Sequence, residues 1–470
     1  MLFNSWVFLA FFAITFSLYA LTQRKLALQN LVLLVASYVF YGWWDWKFLT
    51  LIALSTVLDY VAGLKIANAG SAAEKKKWVT FSVVANLSIL GVFKYTNFFL
   101  ESLGELLAML GLEAAMPSLR IVLPVGISFY TFQSMSYTID VYRGKTNAAS
   151  SLLNFALYVS FFPQLVAGPI ERSNRFLPQV ESPRKITLGG IETGIWLMLW
   201  GLFKKVVVAD NAAAIANPIF DDLGAHSGAE LWLAALAFSA QIYGDFSGYS
   251  DMARGLAKIM GFDLLLNFKL PYFATSPSDF WLRWHVSLSA WLRDYLYIPL
   301  GGNRGGSYQT YRNLVLTMVL GGLWHGAAWN FVIWGVFHGA ILVIYRLAEQ
   351  RPGPKLPTGK LWADLLRMSM MFPLTVVGWI IFRAQSVADL KAFYAGAFTS
   401  TEVDVEIMAA TLGLLWLPVF VVQVWQWAAD DLLAPMRLPF PLRGLLYGLL
   451  IAACITFASG ESIEFIYFQF

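Results

Sequence analysis

Long apolar runs, broken at intervals by small groups of charged or helix-breaking residues, set the pattern of this chain. A bilayer core is filled by about 20 apolar residues of helix. Runs of that kind lie at 6–22, 29–43, 48–64, 79–99, 121–141, 152–170, 187–208, 229–246, 312–345, 363–382, 407–427 and 441–459. The pattern predicts an all-α integral membrane protein with roughly eleven transmembrane helices, plus re-entrant or interfacial helices. The 312–345 run holds either one long helix or two short ones. Pro163 and Gly168-Pro169 make 152–170 a candidate re-entrant segment, since broken helices are tolerated where protein covers the backbone. One linker is plain: Gln350-Arg351-Pro352-Gly353-Pro354-Lys355-Leu356-Pro357, polar and helix-breaking. It separates a histidine-bearing core, about 121–345, from C-terminal helices at about 363–459. With no internal repeat and no low-complexity tract, residues 1–470 read as a single membrane-embedded domain.

Charge adds an orientation. Arg24 and Lys25, then Lys65 with Lys75-Lys76-Lys77, mark alternate loops as cytoplasmic, which places the N-terminus outside. Arg143 and Lys145 agree. The simple count then fails where Arg172, Arg175, Arg184, Lys185, Lys204 and Lys205 crowd together, and a re-entrant 152–170 segment would repair it. Met1-Leu2-Phe3-Asn4-Ser5 carries no positive charge ahead of the apolar run, so Trp6 to Leu21 is read as a retained first span.

Composition agrees with the pattern. The chain is 58% hydrophobic and only 13% charged, against roughly 25% charged residues in a soluble domain. A net charge of +4 spread over loops gives no support for nucleic-acid binding. The expected location is a bacterial inner membrane. The single cysteine, Cys454, allows no internal disulfide and too little for a thiolate metal site.

Two of the four histidines lie inside apolar sequence, in Arg283-Trp284-His285-Val286-Ser287-Leu288-Ser289 and in Gly321-Gly322-Leu323-Trp324-His325-Gly326-Ala327. A titratable side chain at membrane depth is costly, so its retention marks a functional candidate. Read as a helix, 280–300 places Trp281, His285, Leu288 and Leu292 on one face, with Arg283, Ser287 and Asp294 opposite. Such a helix lies in the interface or dips into a cavity; the plain alternative leaves His285 as a satisfied polar residue there. On a second helix, Gly321 and Gly322 fall one turn before His325, and Ala328 and Trp329 one turn after. Small neighbours leave room for a molecule to reach the imidazole, although glycines also serve close helix packing. A buried imidazole is disfavoured in its charged form and can accept a proton near neutral pH. That suits activation of a hydroxyl for attack on an acyl group. No His-Glu-x-x-His or Cys pair appears, so metal catalysis is not expected.

Further polar residues interrupt apolar sequence. Asp245, Ser247 and Asp251 either hold an acceptor sugar or form a structural hydrogen-bond network. Gln133, in Phe129-Tyr130-Thr131-Phe132-Gln133-Ser134, either lines a cavity or packs among aromatics. Trp324, Asp294 and His338 complete the candidate substrate-facing set, and His226 reads as a solvated loop residue. Gly301-Gly302-Asn303-Arg304-Gly305-Gly306 lacks the strand and the Lys-Ser/Thr of a P-loop and reads as a flexible loop.

The sequence resembles the membrane-bound O-acyltransferases. The resemblance is carried by Asp279-Phe280-Trp281-Leu282-Arg283-Trp284-His285-Val286-Ser287-Leu288-Ser289 with Trp291-Leu292-Arg293-Asp294-Tyr295-Leu296-Tyr297, and by Gly321-Gly322-Leu323-Trp324-His325-Gly326. Leu123-Pro124-Val125-Gly126-Ile127-Ser128-Phe129-Tyr130-Thr131-Phe132, Ala167-Gly168-Pro169, Asp245-Phe246-Ser247-Gly248-Tyr249-Ser250-Asp251 and the ending Tyr467-Phe468-Gln469-Phe470 support it. Within the superfamily it resembles most the membrane component of alginate O-acetyltransferase. The resemblance implies a multi-helix fold around a central tunnel, with the family's invariant histidine, here His325, at its narrow middle. A second active-site position, which is Asn, Asp or His in different branches, falls on His285. It further implies an acyl donor thioester on the cytoplasmic side, acetyl-CoA in the alginate branch, with no tightly bound cofactor. Expected partners are periplasmic acetyltransferases with a Ser-His-Asp set and the exopolysaccharide synthesis machinery. Gly244 and Phe337 depart modestly from the family's usual residues. The expected activity is O-acetylation of an exopolysaccharide such as alginate or cellulose. The alternatives are D-alanyl transfer to teichoic acid and transport of a polysaccharide or lipid-linked sugar, although transporters often show internal repeats.

Overall fold

The computed structural model describes residues 1–112, 117, 119, 121–352, 356–400, 404–458, 465 and 466. Part of the linker, 353–355, and the ending 467–470 lie outside the described residues. Among the described residues all regular structure is helical. Five stretches among the described residues are long and apolar enough to cross a bilayer: Leu26–Ala67, Ala72–Met109, Trp329–Gln350, Leu361–Arg383 and Glu406–Ala428. The first holds two helices, Leu26–Asp45 and Leu49–Ala67. Trp6–Leu21 and Phe440–Thr456 are apolar but shorter. Of the other expected runs, Ile127–Tyr142 is shorter, at 16 residues, and Gly306–His325 carries buried polar residues that dilute its apolar signal, so neither joins this set. The 152–170 run is not one helix: Leu152–Ser160 stops at Phe161, and Phe162–Leu165 is a single turn. At 1.5 Å per residue the first piece is roughly 14 Å long, too short to span.

The chain forms two compact units. The first comprises Met1–Ile195 and Ala253–Leu265. Its helices Leu49–Ala67, Ala72–Leu90 and Ile127–Tyr142 pack together around a buried polar cluster. Asp59 there accepts from Ser82 Oγ at 2.6 Å and from Asn86 Nδ2 at 2.9 and 3.0 Å, while Ser82 is bonded to Thr138. Arg184 is buried in the same unit, donating to Gln29, Asn30, Tyr19 and the carbonyls of Gln179 and Val180.

The second unit comprises Trp196–Met252 and Leu266–Phe470. Here Lys204 and Lys205 are buried, on a π-helical turn. Lys204 pairs with Asp251 at 2.7 Å; Lys205 pairs with Asp210 at 2.7 Å and Asp245 at 2.8 Å. The charge count along the sequence breaks down at this point because these lysines and Arg184 are interior groups, not loop charges. The 229–246 run extends into a 32-residue helix, Gly228–Ile259. The 312–345 run is two helices, Gly306–His325 and Trp329–Gln350, which break at Gly326 and pack against each other. The contact is close: a Cβ on Gly335 would lie 2.5 Å from the Met318 carbonyl and 2.6 Å from Val319 Cα.

Candidate active site

His325 is the last residue of the Gly306–His325 helix and is 5% exposed. Gly326 takes an extended conformation directly after it, so the helix stops there. Ala328 and Trp329 therefore do not continue the face expected of one long helix; Trp329 opens the next. The two glycines before His325 divide the two roles that sequence left open. A Cβ on Gly322 would run into the Phe331 backbone, so Gly322 serves helix packing. Gly321 instead lines a cavity with His325, where an added Cβ would meet only Leu292 Cδ1, at 3.1 Å.

The 280–300 segment is not the continuous helix that its periodicity predicts. Pro277–Arg283, capped by Ser276, ends at Trp284, and a new helix, Val286–Leu292, starts after His285. His285 itself has φ 43° and ψ 53°, in the left-handed region. That conformation costs an L-residue roughly 1–2 kcal/mol, and the surrounding hydrogen bonds hold it. Val286 N donates to the Asn267 carbonyl at 3.0 Å, and Ser287 Oγ donates to Asn267 Oδ1 at 2.7 Å. Trp284 N donates to the Phe280 carbonyl at 2.7 Å. The common face proposed for Trp281, His285, Leu288 and Leu292 is thus split across two short helices by this turn.

The break brings the two histidines together. The His285 and His325 rings lie 6.5 Å apart between centroids. The Trp324 ring stands 6.0 Å from His285 and 5.1 Å from His325, and Phe246 meets His285 edge-on at 4.7 Å. His338 joins the same aromatic cluster: Trp334 lies 5.2 Å from His325 and 4.5 Å from His338, and Trp281 lies 5.0 Å from His338. A cavity of about 220 Å³ reaches His325, lined by Trp281, Leu288, Leu292, Gly321 and Trp334 among others. Its walls are mostly apolar, as ligand pockets are, with few polar groups to fix orientation.

The other candidate residues separate. Asp245, Ser247 and Asp251 bond to the two buried lysines: Lys204 Nζ donates to Ser247 at 2.9 Å and pairs with Asp251, while Asp245 accepts from Lys205 and from the Ile466 backbone at 2.7 Å. Between them, Phe246 is the residue that touches His285. Asp294 accepts from Arg293 Nε at 2.8 Å, and Arg293 lines the His325 cavity. Gln133 belongs to the first unit, where Nε2 donates to the Tyr158 carbonyl at 2.5 Å and its own carbonyl accepts from the Tyr158 hydroxyl at 3.1 Å. His226 sits in a loop with Nδ1 2.9 Å from Glu230 Oε1. Asn267 escaped the sequence reading. Its signal was a lone amide after the apolar run Leu264-Leu265-Leu266. Among the described residues no cluster of His, Cys, Asp and Glu is arranged to hold a metal ion.

Comparison with known proteins assigns the framework around this site. Residues 39–351, which contain both histidine motifs, match the MBOAT, membrane-bound O-acyltransferase family. The chain is 47% identical over 401 residues to the probable alginate O-acetylase AlgI of Azotobacter vinelandii, covering 85% of this chain and 78% of that protein. It is 37% identical over 420 residues to the peptidoglycan O-acetyltransferase of Helicobacter pylori, covering 82% of this chain and 78% of that one. A more distant likeness, 27% over 283 residues, joins it to the teichoic acid D-alanyltransferase of Bacillus subtilis, covering 55% and 68%. The chain belongs to the membrane-bound O-acyltransferase family and is a membrane-embedded O-acyltransferase.

Proposed function

We propose that the protein moves acetyl groups from a cytoplasmic thioester donor, acetyl-CoA, across the bacterial inner membrane for O-acetylation of an exopolysaccharide such as alginate or cellulose. His325 is the general base. It takes the proton of an acceptor hydroxyl while the hydroxyl oxygen bonds to the thioester carbonyl carbon. The C–S bond then breaks, and the thiolate leaves with that proton as the free thiol. His285 orients the acceptor or the thioester. No tightly bound cofactor is required. Periplasmic acetyltransferases with a Ser-His-Asp set would complete delivery to the polymer alongside its synthesis machinery.

The observation that carries this reading is the cavity at His325, with His285 6.5 Å away across a cluster of tryptophans. The similarity to probable alginate O-acetylases over 85% of the chain supports the acetyl group and the polysaccharide acceptor. D-Alanyl transfer is less well supported, since that likeness covers only 55% of the chain. His325→Ala should abolish acetate on the polymer while the protein still inserts in the membrane. Wild-type acetate in that variant refutes the assignment. Purified protein that binds acetyl-CoA but never turns it over argues against the donor.

A further inference from the structure

The polar groups around the His325 cavity are mostly engaged within the chain. Thr317 Oγ1 donates to the Asn313 carbonyl at 2.7 Å, and Ser289 Oγ donates to the Trp284 carbonyl at 3.3 Å. Arg293 is paired with Asp294 at 2.8 Å, and the Tyr297 hydroxyl donates to Asn303. Ser278 is solvent-exposed. Two lining donors differ. The indole N–H groups of Trp281 and Trp334 are buried and have no acceptor among the described residues. The Trp334 side chain is 1% exposed, with its ring edge-on to His325 at 5.2 Å. The Trp281 ring stands perpendicular to that of Trp334, 5.6 Å away. A buried N–H left without an acceptor is destabilising, and both of these side chains line the cavity that reaches the candidate base.

We propose that the Trp334 and Trp281 indoles donate hydrogen bonds to the carbonyl oxygen of the acyl group and stabilise the oxyanion that develops on it. The inference rests on the reading of His325 as the base. As the acceptor oxygen bonds to the carbonyl carbon, the carbonyl π pair moves onto oxygen and His325 takes the hydroxyl proton. The pair returns as the C–S bond breaks, and the departing sulfur takes the proton from the imidazolium. Thioester and alcohol become ester and thiol. An indole suits the task because it is a neutral donor with no acceptor function. Rings fixed by packing are already in place when charge develops, which is what makes such donors effective. A cationic donor in the same apolar space would carry a far larger desolvation penalty.

Trp334→Phe and Trp281→Phe keep a large ring and remove only the donor. With the full chain in detergent and labelled acetyl-CoA, kcat should fall on the order of 100-fold in each, with KM for acetyl-CoA within about threefold of wild type. Trp196→Phe is the control: that indole N–H also lacks an acceptor among the described residues but does not line the cavity, so its turnover should match wild type. Wild-type kcat in both cavity variants overturns the proposal, as does a loss confined to KM. Should Trp334→Phe fail to fold by size-exclusion profile, Trp281→Phe decides alone. An inactive His325→Ala beside fully active tryptophan variants removes this inference and spares the base; an active His325→Ala removes the reading beneath it.

Discussion

Gly335→Ala tests how tightly the two helices behind His325 are clamped. An alanine Cβ at 335 would lie 2.5 Å from the Met318 carbonyl, 2.6 Å from Val319 Cα and 2.9 Å from the Met318 carbonyl carbon. All three are backbone atoms of the Gly306–His325 helix, so no rotamer change relieves the clash. Reaching ordinary contact at 3.4 Å requires the helices to separate by roughly 0.9 Å, an overpacking strain of about 1–3 kcal/mol. The exchange of glycine for alanine inside a helix returns about 0.5–1 kcal/mol, leaving a net loss of up to about 2.5 kcal/mol. Met318 lies two turns before His325 on the same helix, so the displacement carries to the imidazole. A misplacement near 1 Å at a reacting group costs on the order of 100-fold in rate. Thermal unfolding in detergent and acetyl transfer from labelled acetyl-CoA measure both effects. Gly413→Ala, where an added Cβ meets nothing within 4 Å, should leave both at or slightly above wild type. A Gly335→Ala protein with wild-type melting and wild-type turnover refutes the argument.

Other substitutions probe separate links. Lys205→Met leaves Asp210 and Asp245 buried without their shared cation, and breaking such a pair costs about 3–5 kcal/mol; a thermal midpoint equal to wild type would contradict it. Asn267→Ala removes the acceptor of Ser287 and loosens the turn at His285, so kcat should fall at least about tenfold with donor KM little changed. A pure KM effect would argue against a positioning role. Glu171 lies outside the spans, fully buried, and burial pushes its carboxyl up to about 8 against the pull of the Leu265 N–H and Arg175. The folded state therefore holds this proton to higher pH than the unfolded chain does. Stability should fall as pH rises through the window between about pH 5 and 8 and level off above it. Glu171→Gln should flatten that fall in a melting series; an unchanged slope rules Glu171 out as its source.

The helical class and the membrane setting were legible because each rests on local signals, run length and low charge; the two histidines that fold beside each other were singled out by an imidazole among apolar neighbours. What the sequence concealed depends on distant partners. Lys204 and Lys205 look like boundary charges until Asp251, Asp245 and Asp210 are brought beside them by folding. The 280–300 stretch keeps a helical period across His285 because no glycine or proline marks the turn. The backbone of Asn267, more than fifteen residues upstream, stabilises it instead. Gly321 and Gly322 are adjacent and chemically identical, yet one borders the cavity and the other abuts a backbone. Only the direction of each Cα–H bond tells them apart, and that direction follows from where the next helix lies.

The positive φ at position 285 restricts which side chains this chain can place there. Beyond glycine, the residue types that settle most readily into left-handed backbone are asparagine, aspartate and histidine, the same three that the family resemblance assigns to this position. The choice of residue at this turn is thus filtered by torsion angle before any acid–base chemistry selects from it. A redesign that introduced glutamate or lysine at 285 to alter the chemistry would first have to rebuild the turn.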